Sequence, residues 1–364
     1  MSEIIEITDL SSSGSGVGKT KEGLVVFTPY TAPGDAAQVE LLEQKKNFAH
    51  GRLVKIITPS PNRIKPKCEV FAKCGGCDLQ HVDYETQWIV KVKGVKESLK
   101  RVGLIELPEF ELFKANTIWN YRNRIQLKGL KNDLGFYEKN SNTIVNISRC
   151  EIADEKINSQ IHSIREENVF RKSEYKAEVE LNENGNVLVS IDKNQSALGF
   201  RQIHDEQNSI LKKWIADQIP AQSTVLDLFG GNGNLSLDLS NKMKEIYCID
   251  DAQKNPSPPN KNYFFHQMDV GSWLKRNLYT LKSNPDVAII DPPREGLGKN
   301  REGIISALKK AKVSRLIVVG CDPSAWAKDL KKYSEMGWKI KKIAVMDFFP
   351  QTHHVESVAL LLLT

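Results

Sequence analysis

The chain has 364 residues, 40% of them hydrophobic, and a net charge of +6. That length exceeds one ordinary core and predicts two or three globular domains. The opening MSEIIEITDL lacks the basic and apolar regions of a secretory leader, and no apolar run approaches the ~20 residues that cross a bilayer, so a soluble, cytoplasmic protein is expected; a monomer is expected as well. Six cysteines in a reducing compartment are read as metal ligands, nucleophiles or core residues, not as disulfides.

Residues 1–58 read as short strands, EIIEITDL, GLVVFTP, DAAQVELLEQ and HGRLVKIIT, separated by SSSGSGVGKTKEG and TAPGD, a spacing that predicts a small OB-like β-barrel. GSGVGKT lacks the four-residue glycine spacing of a phosphate cradle and is read as a barrel loop. PSPNRIKPK, with three prolines in nine residues, reads as a linker. It leads into CEVFAKCGGCDLQH, where five residues separate Cys68 from Cys74 and two separate Cys74 from Cys77, and Cys150 follows after 72 more. Four thiolates can hold a tetrahedral zinc ion or an iron–sulfur cluster, and spacing alone does not separate the two.

Next comes a helical stretch, YETQWIVKVKGVKESLKRVG, whose lysines line one flank. Residues 61–130 hold 13 Lys and Arg against 8 Asp and Glu, which predicts a phosphate-binding surface that includes Lys91, Lys93 and Lys96. WNYRNRIQLKGL, LGFYEKNSNTIVNI and EYKAEVELNENGNVLVSI alternate like half-exposed strands. In the first of them Tyr121, Arg122 and Arg124 suit bases and phosphates, and suit a solvated strand face equally.

From about Ala197 the pattern becomes α/β. A helix, DEQNSILKKWIADQI, leads into TVLDLFGGNGNLSLDLS, an apolar strand closed by Asp227, then a turn through Gly230, Gly231 and Gly233, then a new helix with its dipole behind the turn. Further strands end on Asp250, Asp269, Asp291 and Cys321, and KIKKIAVMDFF with HVESVALLLLT predicts a hairpin at the sheet edge. Ligands of doubly wound sheets bind outside the carboxyl ends of the strands, where these acids and this thiol fall, and Asp250 stands where an acid would bond a ribose. Cys248, mid-strand, reads as core.

VLDLFGGNGN, IIDPPREG, VVGCDPSAWAKDL and DFFPQTHHVESVALL, together with CX5CGGC and a distant fourth cysteine, resemble the S-adenosylmethionine-dependent RNA uracil-5-methyltransferases, and the barrel resembles the TRAM-like RNA-binding module of the 23S rRNA type. The resemblance covers nearly the whole chain. It implies three parts: a barrel over 1–58, a central α+β domain over 59–196, and a Rossmann-like class I methyltransferase domain over 197–364. It further implies Cys321 as nucleophile and Glu356 as general base. Gln202, Phe229, Asn234, Asp250, Asp269 and Asp291 would bind S-adenosylmethionine, and Cys68, Cys74, Cys77 and Cys150 would hold a [4Fe–4S] cluster. The implied partner is RNA, rRNA ahead of tRNA. The sequence departs from the family pattern at Gly230 (usually cysteine), Asp322 (asparagine) and His204 (often asparagine), and the proline-rich AQKNPSPPNKN replaces a helix between Asp250 and Asp269. Candidates for handling a base flipped out of the RNA stack are Phe348, Phe349 and Arg294.

Overall fold

Along Ser2–Leu10 (β1) Ile5 and Ile7 turn inward and are buried while Ile4, Glu6 and Thr8 between and beside them are exposed, as a half-exposed strand requires. The structure is a computed structural model that describes residues 2–104, 106–182, 184–193, 201–251 and 260–364. The Ala197 boundary and most of the proline-rich connection, residues 252–259, lie outside the described residues. The chain divides into two units: Met1–Gly94, Asn116–Asn194 and Phe349–His354 form the first, and Val95–Ala115, Gln195–Phe348 and Val355–Thr364 the second.

In the first unit β1 joins β2 (Gly16–Lys19), β3 (Val25–Thr28), β4 (Ala36–Gln44) and β5 (Phe48–Thr58) in a closed barrel around Ile5, Ile7, Val26, Ala37, Val39 and Ala49. The strand β2 lies inside the stretch read as a loop. Its glycines are demanded by crowding: a Cβ at Gly16 would collide with Thr31 and one at Gly18 with Ile5. Helix α1 (Tyr84–Arg101) follows, its residues through Gly94 belonging to this unit. Strand β6 (Phe110–Phe113) belongs to the second unit. The first unit then adds β7 (Arg124–Leu130), β8 (Asp133–Tyr137), β9 (Ile144–Asn146), α2 (Glu155–Asn158), α3 (Ile161–Asn168), β10 (Tyr175–Leu181) and β11 (Val187–Ile191). These strands form a sheet in the order β11-β10-β7-β8-β9, and α2 and α3 bury Ile157, Ile161 and Ile164 in a core shared with its strands.

Beyond β6 the second unit comprises α4 (Asp205–Asp217) and β12 (Thr224–Leu228), the latter buried at every position as an interior strand of a parallel sheet must be. It continues with β13 (Glu245–Asp250), β14 (Tyr263–Gln267), α5 (Val270–Asn277), β15 (Val287–Ile290), α6 (Arg301–Lys310), β16 (Arg315–Gly320), α7 (Pro323–Glu335), β17 (Trp338–Met346) and β18 (Glu356–Leu363). The eight-stranded order is β14-β13-β12-β15-β16-β18-β17-β6. Strands β17 and β18 pair antiparallel as expected, but they do not form the edge: β6 lies outside β17 in parallel pairing. The helix expected after the glycine turn is a single 3-10 turn, Leu237–Leu239. The side chains of Asn234 and Ser236 bond outside the helical ladder there, to Asn208 and Asp227, as short polar side chains do when they compete with a helix.

Candidate active site and cysteine cluster

The sheet register builds the site. Antiparallel pairing of β16 and β18 sets Gly320 against Ser357, so one residue past the ladder Cys321 stands across from Glu356. In the parallel part, Leu228 of β12 pairs with Ile249 and with Ile290, which brings Phe229, Asp250 and Asp291 out side by side at the same rim. Five of the residues singled out in the sequence are thereby placed along one carboxyl-end edge of the second unit.

The backbone there is shaped for close approach. Phe229, Gly231 and Gly233 take positive φ angles of 62°, 54° and 79°, and Gly231 donates its N–H to Asp250 Oδ2 at 2.9 Å. A Cβ at Gly230 would lie 2.6 Å from Cys248 Sγ and 2.7 Å from Asp227 Cγ. In this chain the buried Cys248 fills the space that a side chain at position 230 would need. The amides of Asn234 and Asn208 exchange two 3.0 Å hydrogen bonds, tying the turn to α4. Gln202 is buried ahead of α4, and Asp269 is an exposed N-cap that accepts from Ser272 N at 2.8 Å. Asp322 is likewise an N-cap, accepting from Ala325 N at 2.7 Å to start α7 behind Cys321. Aspartate and asparagine cap helices equally well, so this departure from the family leaves the local geometry intact.

Charge at the rim is held back by burial. Burial, then the charge of Asp227, pushes Asp291 up to about 7. Glu356 is raised well above the carboxylate range, by burial first and by Asp291 second, with Arg294 opposing. Burial, then Glu356, pushes the Cys321 thiol up to about 12, again against Arg294. Burial thus favours the protonated forms of both the thiol and the carboxyl, with one guanidinium favouring ionisation of both.

These shifts have a measurable sign. A carboxyl whose folded pKa is raised keeps a proton that the unfolded chain has released, so its contribution is lost as pH rises from about 4 through about 7 and is flat above. Asp291→Asn is expected to gain about 2 kcal/mol on wild type between pH 5 and pH 8 in denaturant unfolding. The comparison is with wild type because His81, lowered to about 4 by burial, acts in the opposite direction. Parallel pH profiles for the two proteins would show that Asp291 ionises normally.

Two contributors escaped the sequence reading as site residues. Asp227 is wholly buried beneath the glycine turn, accepts a hydrogen bond from Ser236, and is raised to about 6 by burial. Its signal was an acid inside the apolar run VLDLF. Asp329, 1% exposed, accepts from Leu297 N at 2.9 Å and from Arg301 Nε, anchoring the loop that carries Arg294. Its signal was a charge on the inward face of α7 between Trp326 and Tyr333.

Other expectations are corrected. Phe348 is fully buried and is a packing residue. Tyr121 is buried and donates to Pro350 O at 3.0 Å, and Arg124 pairs with Glu178 at 3.5 Å, so these two serve the first unit's own packing. On α1, Lys91 is buried against Phe349 O at 3.0 Å, Lys93 pairs with Asp9, and Lys96 lies over the Phe110 ring. The phosphate surface expected there is largely spent on internal contacts.

In the first unit Cys68, Cys74, Cys77 and Cys150 are all free thiols and line one cavity of about 80 Å³. Loop hydrogen bonds fix the backbone round it: Cys68 N donates to Gln80 Oε1 at 3.0 Å, and Cys150 N to Asn158 Oδ1 at 2.8 Å. A Cβ at Gly75 would lie 3.1 Å from Tyr137 O, so the CGGC turn is pressed against β8. Among the described residues no three His, Cys, Asp or Glu side chains converge on a single metal ion.

A TRAM domain profile matches residues 4–54, and the profile of the tRNA (Uracil-5-)-methyltransferase family matches residues 276–363, which include Cys321 and Glu356. An uncharacterized RNA methyltransferase of Bdellovibrio bacteriovorus is 30% identical over 98% of this chain and 93% of its own. One of Nostoc sp. is 29% identical over 100% and 97%. The solved Pyrococcus abyssi tRNA (uracil-54, C5)-methyltransferase, in complex with S-adenosyl-L-homocysteine, is 22% identical and shares the fold, with a TM-score of 0.76 over 100% of this chain and 99% of that one.

Proposed function

Because the chain belongs to the S-adenosylmethionine-dependent RNA uracil-5-methyltransferases, we propose that it methylates C5 of a uridine in 23S rRNA with Cys321 as nucleophile and Glu356 as base. The observation that carries this reading is the β16–β18 register, which sets the thiol across from the carboxyl at the open end of the sheet.

Uracil C5 is too weak a nucleophile to be methylated unaided. Addition of the Cys321 thiolate to C6 moves the C5–C6 π electrons toward O4 and makes C5 nucleophilic, a covalent route that divides one hard step into easier ones. S-adenosylmethionine, when bound, supplies an electrophilic methyl group for C5. Glu356, as carboxylate, then takes the C5 proton, the C5–C6 double bond re-forms and the C6–S bond breaks. Arg294 favours the ionised forms that both side chains need. For the cofactor, the half-open backbone of the glycine turn and the neighbouring carboxyls of Asp250 and Asp291 suit a nucleoside. Gln202, Phe229, Asn234 and Asp269 complete the proposed set.

Ribosomal RNA is the favoured target because the sequence motifs resemble those of the 23S type; the barrel does not decide it, since the solved tRNA (uracil-54, C5)-methyltransferase matches this chain over its whole length. A tRNA target is the second reading, favoured by the family profile's own description. Mass-spectrometric mapping of 5-methyluridine in rRNA and tRNA from cells with and without the gene decides between them. No change in either RNA would remove the proposal. No helix among the described residues is long and apolar enough to cross a membrane, and we place the enzyme in the cytoplasm as a monomer. Its proposed parts are the barrel over 1–58, a cluster-bearing domain over 59–196 and the catalytic domain over 197–364.

The shared cavity and the all-thiol donor set support a [4Fe–4S] cluster on Cys68, Cys74, Cys77 and Cys150. Anaerobically purified protein is expected to contain about four irons per chain with broad visible absorbance, lost in Cys74→Ser. Zinc without iron in that preparation would overturn the cluster. The ligands lie outside the unit that holds Cys321, so Cys74→Ser should lower stability or RNA affinity before it slows the chemistry.

A further inference from the structure

The lysines of α1 expected to bind RNA are largely spent on internal contacts, but a second group of cations in the second unit is not. A cleft of about 650 Å³ opens there between the end of α1, the start of α6 and one face of α7. Six cations line it, Arg101, Lys299, Arg301, Lys328, Lys331 and Lys332, against two acids, Glu302 and Glu335. Both acids pair with the same lysine, Lys332, at 3.3 and 3.6 Å, and Arg301 is committed to Asp329. Lys299, Lys328 and Lys331 are exposed and form no ion pair among the described residues. On α7 the lysines at 328, 331 and 332 follow helical spacing, so they crowd one face about 5–6 Å apart, an arrangement that costs an isolated helix stability. The same helix begins two residues after Cys321, which puts Lys328 and Lys331 roughly 8–12 Å along its axis from the helix start beside the nucleophile.

We infer that this cleft is a binding site for the phosphate backbone of the substrate RNA, with Lys299, Lys328 and Lys331 contacting phosphates that flank the uridine presented to Cys321. The proposal rests on the uridine-methylation reading for the identity of the polyanion. The charge balance of the cleft argues for an anionic ligand, and the direction of α7 argues for one continuous with the active site. A repeating polyanion answers both.

The test compares the full-length protein with the triple variant Lys299→Gln, Lys328→Gln, Lys331→Gln. A control triple, Lys339→Gln, Lys341→Gln, Lys342→Gln, makes the same charge change at exposed positions on β17. Anisotropy of a labelled oligouridylate of about 20 nucleotides is followed between about 50 and 200 mM salt. Each phosphate contact on a single strand adds about 0.7 to the slope of log affinity against log salt, so the cleft triple should lose about 2 from the slope and bind about tenfold more weakly at the low-salt end. Its melting temperature should be unchanged or raised, because the like-charge crowding on α7 is relieved. The control triple should keep the wild-type slope to within one contact. Equal slopes for wild type and cleft triple, or equal losses in the two triples, would overturn the cleft.

Methyl transfer to the RNA identified by mapping supplies the second readout. The cleft triple should raise KM about tenfold and leave kcat near wild type, and a fall in kcat at unchanged KM would overturn the positioning of phosphates there. If the wild-type protein methylates no uridine, the catalytic reading fails on its own, and the salt slopes still decide whether the cleft binds RNA.

Discussion

Glu356→Gln is expected to leave the protein covalently joined to its RNA. Cys321 would still add to C6 and C5 would still be methylated, but with no carboxylate to take the C5 proton the C6–S bond cannot break. A methylated protein–RNA species should therefore accumulate, stable to denaturing electrophoresis and absent when Cys321 is also replaced. Turnover should fall by about 10²–10⁴-fold, the range general bases contribute. Cys321→Ala should abolish turnover with no adduct at all. The two side chains are opposed across the β16–β18 ladder, so exchanging one leaves the other in place. The adduct should form faster as pH rises, since burial pushes the Cys321 thiol up to about 12. Normal turnover by Glu356→Gln, or methylation by Cys321→Ala, would leave Cys321 as a buried strand-end residue and nothing more.

Cys321 and Asp291 were legible at strand ends for a physical reason, whereas Glu356 was implied by the family resemblance alone. Strand ends in a parallel sheet are marked locally, by an apolar run that stops at a polar residue, and the run's own length sets where the rim falls. VVGCDP and DPPREG each carry that mark, and Cys321 and Asp291 follow at once. Pairing partners carry no such mark. Nothing near Phe110 announces that β6 will lie outside β17, because a four-residue strand has too little pattern to show its neighbour. The segment after the glycines, NLSLDLS, carries its leucines at every second position rather than at helical spacing, and its serine and asparagine side chains bond to Asp227 and Asn208, which leaves one 3-10 turn. Charge counting failed on α1 for a related reason. Composition gives the number of lysines, but Lys91 and Lys93 are held by Phe349 O and Asp9, contacts separated by 258 and 84 residues.

Away from the chemistry, Asp329 is the residue whose loss should do most damage. Asp329→Ala is expected to destabilise the protein by about 3 kcal/mol or more, because removing one partner of a buried pair leaves the other charge and its hydrogen bonds uncompensated. Its carboxylate receives Leu297 N and Arg301 Nε while only 1% exposed, and burial raises its pKa in spite of Arg301. The effect should reach the active site, since the loop held by Leu297 also carries Arg294, the cation that opposes the upward shift of Cys321. A purely structural loss would lower the melting temperature and leave the surviving folded enzyme unchanged. A positioning role predicts more: well below its melting temperature, Asp329→Ala should alkylate with iodoacetamide at Cys321 several-fold more slowly, as thiolate becomes scarcer when its stabilising guanidinium drifts. Asp329→Asn keeps an acceptor for Leu297 N and loses only the charge facing Arg301, so it should fall between wild type and alanine in both measurements. Gly296, at a φ of 71°, has no room for a Cβ beside Asp329, so Gly296→Ala should be severe in wild type and milder when Asp329 is already alanine. Additive costs, together with unchanged Cys321 alkylation, would reduce Asp329 to an ordinary buried ion pair.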